Sequence, residues 1–305
     1  MIRVRGLRKA YGATTVLGGI DLDVPEGAVF ALLGPNGAGK TTTVGILTTL
    51  VRPDAGEVRV AGADPRTDPG AVRAAIGVTG QFVAIDQLLT AEENLALMAD
   101  LNHLGRRAGR ARVAELIDQF DLREAARRPA QTYSGGMRRR LDIAMGLVAT
   151  PRVIFLDEPT TGLDPRARRM LWETIRGLAA GGTTVFLTTQ YLEEADQLAG
   201  RIAVLHQGRI AAEGTPGELK RLVPGGHVTL TFADDRALRT AAAALGLAVP
   251  ADSLDLEVPG DGSVHSLRLL MSTLDQVGAE LASLAVHTPD LDDVFLALTS
   301  QEPAL

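Results

Sequence analysis

Three short segments carry residue types that suit phosphate chemistry, and the first reads Gly-Pro-Asn-Gly-Ala-Gly-Lys-Thr from Gly34 to Thr41. It follows an apolar stretch at 29 to 33 and precedes a helical run. Its glycines let backbone N–H groups turn toward an anion, and the start of the following helix adds its dipole. Lys40 brings positive charge to phosphate oxygens, and the Thr41 hydroxyl can bind Mg²⁺. The segment therefore predicts a nucleotide phosphate loop.

A pair of acids, Asp157 and Glu158, follows a second apolar stretch at 153 to 156. This order predicts two carboxylates at the carboxyl edge of a buried strand, beside the phosphate loop. We expect Asp157 to hold Mg²⁺ through water and Glu158 to polarise an attacking water as general base. The alternative, in which the acids only cap the next turn, is disfavoured by the presence of the phosphate loop in the same chain.

A third segment, Tyr-Ser-Gly-Gly-Met-Arg-Arg-Arg at 133 to 140, opens an apolar-periodic helix. Ser134, Gly135 and Gly136 at the helix start predict a second anion-binding nest. One nucleotide needs only one phosphate loop, so we expect two chains to face each other, each lending its Ser134 to the ATP of the other. The alternative is that Ser134 is an ordinary helix cap. The arginines at 138 to 140 are predicted to form a solvated or phosphate-adjacent helix face.

The elements that must position these residues alternate between short apolar runs and amphipathic helices up to residue 222, which predicts a largely parallel α/β sheet. Near the start, a turn at 25 to 27 predicts an antiparallel hairpin that feeds the central sheet. Residues 91 to 130 predict a helical insertion, broken near Gly105 and Gly109. After a predicted linker at 223 to 226, an alternating strand at 227 to 232 begins a small α+β module.

Composition narrows the possible functions. The 305 residues contain no cysteine, which excludes disulfides, thiolate metal sites and cysteine nucleophiles. Residues 226 to 305 hold 12 acids and 3 bases, whereas the first 225 hold 25 acids and 28 bases. Neither part has the basic face of a nucleic-acid binder, so no nucleic-acid partner is expected. No run of apolar residues is long enough to span a membrane, and the amino end does not read as a secretory signal.

The order of motifs resembles the ATP-binding subunit of an ABC transporter over residues 1 to about 222. The motifs are the phosphate loop, Gln81 in an apolar loop, Tyr-Ser-Gly-Gly-Met at 133 to 137, Leu-Asp-Glu-Pro at 156 to 159 and Thr-Gly-Leu-Asp at 161 to 164. The stretches 133 to 142 and 187 to 198, and the tail at 291 to 298, resemble the daunorubicin-resistance ATP-binding proteins of bacterial drug exporters.

The resemblance implies an α/β P-loop NTPase core of ABC type in residues 1 to 222, with an antiparallel β subdomain and a helical subdomain at about 88 to 150. A small C-terminal α+β domain at 226 to 305 would be accessory or regulatory. Tyr11 would stack on adenine, Gln81 would sense the γ-phosphate and Mg²⁺ beside the permease, and Asp164 would lie at the dimer seam. The nucleotide-binding residues would be Tyr11, Gly34, Pro35, Asn36, Gly37, Ala38, Gly39, Lys40, Thr41, Thr42 and Gln81.

The catalytic residues implied are Lys40, Glu158 and Gln190, and the Mg²⁺ ligands are Thr41, Gln81 and, through water, Asp157. Most ABC ATPases carry a switch histidine where this chain has Gln190, and the drug-resistance branch shows the same replacement. We read Gln190 as a functional variant.

The function implied is ATP hydrolysis that drives efflux of a hydrophobic drug through a separate membrane permease. The chain would act as a homodimer or with a similar ATPase subunit, at the cytoplasmic face of a bacterial cell membrane. Export of lipid or polysaccharide remains an alternative, as does a soluble ABC ATPase acting on DNA or ribosomes. A small-molecule P-loop kinase is disfavoured, because a kinase must exclude the water that this site is built to activate.

Overall fold

The structure is a computed structural model that describes residues 1–81, 83–223, 226–249, 253–260, 263–287 and 289–299. The chain divides into two compact units, Met1–Pro216 and Gly217–Leu305. The domain boundary predicted from the sequence lies slightly later, between residues 222 and 226, and that domain assignment stays a prediction. Two residues of the predicted linker, Pro224 and Gly225, lie outside the described residues. Among the described residues, no helix has the length and apolar character needed to cross a bilayer.

The first unit combines two sheets with helices on their faces. Its strands are β1 (Ile2–Tyr11), β2 (Thr14–Val24), β3 (Val29–Leu33), β4 (Ala55–Val60), β5 (Ile76–Thr79), β6 (Val153–Asp157), β7 (Thr184–Thr189), β8 (Arg201–His206) and β9 (Arg209–Gly214). Its helices are α1 (Lys40–Leu47), α2 (Pro69–Ala75), α3 (Ala91–Leu101), α4 (Arg106–Gln119), α5 (Gly135–Gly146), α6 (Pro165–Ala180) and α7 (Leu192–Leu198), and α8 (Pro216–Lys220) spans the division between the units.

The central sheet has the strand order β5-β6-β7-β3-β8-β9, and only its β8–β9 pair is antiparallel. Every residue of β3, β6 and β7 is buried, because helices cover both faces of a parallel sheet. This explains why these strands read as continuous apolar runs. The carboxyl ends of β3, β6 and β7 meet at one edge of the sheet, where ligands bind in open α/β folds. The predicted α/β class is confirmed.

The turn at 25 to 27 was predicted to join two strands that pair with each other as an antiparallel hairpin, and this pairing is wrong. Strand β2 pairs with β1 in a separate antiparallel sheet of order β2-β1-β4, whereas β3 lies between β7 and β8. The reason is burial: β2 buries alternate residues in its second half, from Ile20 to Val24, while β3 is covered on both faces. The turn therefore joins two sheets.

The predicted helical insertion is present as α3 and α4, followed by α5. Thr90 and Glu93 form a reciprocal capping box at the start of α3, with backbone-to-side-chain distances of 3.2 and 2.8 Å. Gly105 is the N-cap of α4, as the predicted break requires, but Gly109 lies inside that helix. A Cβ at Gly109 would lie 3.3 Å from the Cβ of Ala99, so this glycine allows close approach of α3 and is not a helix break.

The second unit is the predicted small α+β module. It consists of β10 (His227–Phe232), α9 (Asp235–Leu245), β11 (Asp255–Pro259), α10 (Val264–Val277), β12 (Leu281–His287) and α11 (Leu291–Thr299). The strands form an antiparallel sheet of order β11-β10-β12. The side chains predicted to point inward from β10, Val228, Leu230 and Phe232, are buried against α9 and α10 residues such as Leu238 and Leu274.

Candidate active site

The phosphate loop connects β3 to α1 at the carboxyl edge of the central sheet. Gly34 N donates to the carbonyl of Thr189 at the end of β7, at 3.2 Å, which ties the start of the loop to a neighbouring strand. Gly39 has a φ of 110°, a left-handed backbone that disfavours any side chain. A Cβ there would also lie 2.7 Å from Leu17 Cδ2, so only glycine fits at the entrance of α1.

Lys40, the first residue of α1, points back into the loop that precedes it. Its Nζ donates to the carbonyl oxygens of Gly34 at 2.8 Å and Pro35 at 3.1 Å. The same Nζ lies 3.3 Å from Oε1 of Glu158, with side-chain exposures of 4% and 9%. A nearly buried ammonium group is thus held at the mouth of the loop by carbonyls and one carboxylate.

The two acids at the end of β6 are held by Thr188 on the adjacent strand β7. The Thr188 hydroxyl donates to Asp157 Oδ1 at 2.5 Å and accepts from Glu158 N at 3.1 Å. Glu158 N also points to the Thr188 carbonyl, at 3.2 Å. Glu158 has a φ of 47°, a conformation that costs about 1–3 kcal/mol for a residue other than glycine. This turn separates the roles of the acids: Asp157 stays buried, and Glu158 turns toward Lys40.

The phosphate loop, Lys40 and Glu158 border one cavity of about 440 Å³. A glycine-rich loop, a lysine, two threonines and a carboxylate therefore line the same space, a set of residues that suits a polyphosphate. The cavity is lined by Val16, Asn36, Gly37, Gly39, Lys40, Thr41, Thr42, Gln81 and Glu158.

The remaining residues predicted to act at the nucleotide site are Gln190, Asp157 and Tyr11, which lie at the same sheet edge or further from the cavity. Gln190 directly follows Thr189, whose carbonyl accepts from Gly34 N, but among the described residues it does not line the cavity. Asp157 is 5% exposed and is not among the residues that line the cavity. Tyr11 is half exposed at the end of β1, with Lys9 Nζ 5.2 Å from its ring centroid.

Two predicted dimer residues act locally as helix caps. Ser134 is the N-cap of α5, where its Oγ accepts from Met137 N at 3.3 Å. Asp164 is the N-cap of α6, where its Oδ1 accepts from Arg166 N and Ala167 N, both at 2.9 Å. Both caps are exposed, so their polar atoms face solvent at the surface of the unit. Their roles across a dimer stay predictions.

The family of the chain follows from its relatives. A model of the ABC transporter family matches residues 17–161. The daunorubicin resistance ATP-binding protein DrrA2 of Streptomyces coeruleorubidus is 49% identical, covering 98% of this chain and 94% of that protein. The chain belongs to the ATP-binding proteins of ABC transporters. The doxorubicin resistance ATP-binding protein DrrA of Mycobacterium tuberculosis strain H37Rv is 46% identical over 97% of this chain and 93% of its own length.

Solved structures of ABC cassettes share the fold of this chain, and one of them contains ADP and Pi. That structure is the cassette MJ0796 in a dimeric post-hydrolysis state bound to ADP and Pi, which superposes with a TM-score of 0.64. It is 27% identical, and the match covers 70% of this chain and 98% of the MJ0796 chain. A second dimeric structure of MJ0796 gives the same TM-score at 28% identity, over the same shares of both chains. This ABC protein is an ATPase, and its first unit has the P-loop NTPase fold of the family.

Sequence reasoning missed several residues of the ABC site and misplaced one. Val16 lines the cavity from β2, and Thr188 holds both acids, yet nothing in an apolar strand ending Thr-Thr marks which threonine does so. The arginines at 138 to 140 were predicted to form a solvated or phosphate-adjacent helix face, and for Arg139 the solvated interpretation is wrong, because this side chain is 5% exposed. The available signal was Arg139 and Asp142, a charged pair at i,i+3, together with the apolar Ile143 four residues after Arg139 on the same face of the helix.

The donors around the cavity are of the kind that Mg²⁺ prefers. Thr41 and Gln81, which carry a hydroxyl and an amide oxygen, line the cavity, and the buried Asp157 directly precedes Glu158 at the end of β6. Mg²⁺ takes oxygen ligands and usually combines one or two protein groups with substrate phosphates. These residues therefore fit the ion.

Proposed function

We propose that this chain is the ATP-hydrolysing subunit of an ABC exporter that powers efflux of a hydrophobic drug or antibiotic through a separate membrane permease. It would act at the cytoplasmic face of a bacterial cell membrane, as a homodimer or with a similar ATPase subunit. The observation that carries the proposal is the meeting of Lys40 and Glu158 at the mouth of the phosphate loop, 3.3 Å apart.

The binding roles follow from the position of each group. The loop from Gly34 to Thr42 would hold the phosphates of ATP with its N–H groups and with Lys40. Tyr11 would stack on adenine, since its ring is half exposed at the end of β1. Thr41, Gln81 and, through water, Asp157 would hold Mg²⁺, which supplies positive charge that neutralises the phosphate oxygens.

The hydrolytic roles divide between two side chains. In the arrangement described, Lys40 is occupied by the carboxylate of Glu158 and by two carbonyls. A phosphate that takes over Lys40 would free Glu158 to accept a hydrogen bond from water and to take its proton. The water oxygen would then bond to the γ-phosphorus while the bond from that phosphorus to the bridging oxygen breaks, which releases ADP and phosphate. Gln190, next to Thr189, would orient this water through a neutral amide that does not titrate near pH 7.

The second half of each site would come from the facing subunit. Ser134, Gly135 and Gly136 present an exposed helix start, which suits the phosphates of a nucleotide bound to the partner. Asp164, exposed at the start of α6, would lie at the seam between the two chains. The dimeric state of the solved MJ0796 cassette supports this arrangement.

A substitution of the proposed base tests the proposal. Glu158→Gln keeps the shape of the side chain and removes its basicity. ATP binding should therefore be retained, while the rate of hydrolysis should fall by about 1000-fold. Because hydrolysis reopens the dimer, the variant should remain dimeric once ATP is bound. With Mg-ATP, gel filtration should then show a dimer. The exposed Glu173→Gln, which removes the same charge elsewhere, is the matched control and should behave as wild type. A Glu158→Gln protein that binds ATP and stays monomeric contradicts the sandwich.

The cargo needs a separate test, because relatives with a different named cargo also match. The Nod factor export ATP-binding protein I of Ralstonia nicotianae is 40% identical over 99% of this chain and 94% of its own length. Inverted vesicles that hold this chain and its permease should take up daunorubicin on addition of Mg-ATP. Uptake of a labelled lipid or polysaccharide in place of the drug would favour the alternative cargo. Stimulation of ATPase by DNA or ribosomes would favour the soluble alternative.

A further inference from the structure

Arg139 connects α5 to the two loops that carry Gln81 and Glu158. Its guanidinium donates from Nε to the Pro159 carbonyl at 2.9 Å, from Nη2 to the Asp157 carbonyl at 3.0 Å and from Nη1 to the Gly80 carbonyl at 2.8 Å. Two of these carbonyls flank Glu158, and the third directly precedes Gln81. A rigid guanidinium fork can reach three carbonyls at once, which a lysine ammonium cannot reproduce with the same geometry.

Asp142, one turn further along α5, completes the connection. Its Oδ2 accepts from Arg139 Nη1 at 3.1 Å, and its Oδ1 accepts from Ala84 N at 3.0 Å. Both side chains of the pair are about 5% exposed or less. The segment that contains Gln81 is therefore attached to α5 on both sides, through Gly80 and Ala84.

The same helix begins at the predicted nest for the partner's nucleotide. Ser134 caps α5, and Arg139 lies five residues later, about 7.5 Å along the helix axis. A single short helix thus reaches from a surface-exposed nest to the loops of the catalytic carboxylate and of Gln81. Helices move as rigid elements, so a shift at Ser134 displaces Arg139 and Asp142 with it.

We propose that Arg139 and Asp142 are positioning residues that couple the start of α5 to Gln81 and Glu158 of the same chain, and thereby connect the two nucleotide sites of the dimer. The inference rests on the proposed function, because it requires a second nucleotide at Ser134. A buried charged pair can also serve stability alone, and the experiments below distinguish the two roles.

The first experiment measures hydrogen exchange of single amides in the nucleotide-free protein. Asp142→Ala removes the acceptor of Ala84 N and should speed exchange at Ala84 by about tenfold or more, whereas Asp142→Asn keeps an oxygen there and should change it by less than about threefold. Arg139→Lys should speed exchange at Glu158, whose N–H bonds to Thr188 and lies between the two carbonyls that Arg139 holds.

Arg140→Lys is the matched control for this experiment. Arg140 lies on the same helix and also binds a carbonyl and an acid, Phe120 O at 2.8 Å and Asp121 Oδ2 at 3.2 Å, at the end of α4. The Arg140→Lys variant should keep the amide exchange rates of Gln81, Ala84 and Glu158 within about twofold of the wild-type rates. Equal exchange in wild type and Arg139→Lys, or equal acceleration by Arg140→Lys, overturns the positioning role.

The second experiment measures ATPase rate against ATP concentration. Arg139→Lys should lower kcat by about 10- to 100-fold and change KM by less than about threefold. The Hill coefficient of wild type should exceed 1, and that of Arg139→Lys should be 1. If Arg139→Lys does not fold, Asp142→Ala should show the same reduced Hill coefficient. A folded variant with wild-type kcat and cooperativity overturns the coupling. The exchange experiment needs no nucleotide, so its result stands even if wild type fails to hydrolyse ATP or to dimerise.

Discussion

Lys40 and Glu158 form a nearly buried ion pair, 3.3 Å apart, across the mouth of the phosphate loop. The pair is made by residues 118 positions apart that arrive on different strands of one sheet, β3 through its loop and β6 through its carboxyl end. It places the phosphate-binding cation and the proposed base in contact before any ligand arrives. Each group would be costly to bury alone, so each stabilises the other in the empty site.

Removing the cation of this pair should affect both binding and stability. Lys40→Met should weaken ATP binding by about 100-fold or more and lower the free energy of unfolding by about 2–4 kcal/mol, because Glu158 keeps a nearly buried charge without its cation. Adding Glu158→Gln should recover most of the stability but none of the binding. Urea unfolding and ATP titration measure the two effects. Additive stability losses in the double variant would show that the pair does not interact.

Thr188→Val should separate positioning of the acids from binding of ATP. The substitution keeps the shape but removes the hydroxyl between Asp157 and Glu158 N, so kcat should fall by about 10- to 100-fold and stability by about 1–3 kcal/mol. Thr188→Ser should restore the rate.

Thr184→Val is the control for that variant, since Thr184 on the same strand accepts from Gly27 N at 2.9 Å, at the opposite end of β7. It should cost similar stability with kcat unchanged. A similar loss of kcat in both valine variants would mean that the Thr188 effect is merely one of stability.

Gln190→Ala should lower kcat by about 10- to 1000-fold with little change in ATP affinity, as expected for the loss of one transition-state donor. Gln190→His should stay active, with an added pH dependence near pH 6.5. Steady-state ATPase assays of the assembled transporter measure this. The control is Gln197→Ala, on the exposed side of α7. Unaltered kcat and normal thermal stability in Gln190→Ala would leave Gln190 without a catalytic role.

Glu194 should make the stability of the protein depend on pH. Burial raises the pKa of its carboxyl above 4.5, although the Trp172 indole N–H lies 3.4 Å from Oε1. The protonated form therefore favours folding, and this contribution is complete below pH 4.5 and is lost as the pH rises through the folded pKa.

Glu194→Gln should accordingly raise stability at pH 7 by roughly 1–3 kcal/mol and flatten the pH dependence above pH 4.5. Urea unfolding between pH 4 and pH 8 measures the difference between variant and wild type. The exposed neighbour Glu193→Gln should leave the wild-type dependence unchanged. The measured quantity is the free energy of unfolding of Glu194→Gln minus that of wild type. A difference that is smaller at pH 7 than at pH 4.5 contradicts the prediction.

Truncation after Pro224 should retain nucleotide binding, because every residue that lines the cavity belongs to the first unit, Met1–Pro216. The removed part carries the excess of acids and has its own apolar core. ATP titration together with circular dichroism tests this. A truncated protein that is folded but does not bind ATP would mean that the domain boundary or the accessory role is wrong.

The sequence by itself determined the family, the fold class and the loops that carry the chemistry. Local patterns suffice here: a glycine-rich loop between an apolar run and a helix, and an apolar run that ends in Asp157 and Glu158, each describe a strand and the turn after it. The helix start at Ser134 and the inward residues of β10 were readable for the same reason, since capping and alternation are local properties.

Only the tertiary structure decided which residues meet across elements. Thr188 contacts both acids because β7 lies between β3 and β6, and strand order is not written in any single segment. The same holds for β2, which pairs with β1 although its turn leads to β3. Arg139 looked solvated because its neighbours are charged, yet its burial depends on carbonyls that come from three distant positions. Long-range contacts depend on how elements pack together, so a local pattern does not specify them.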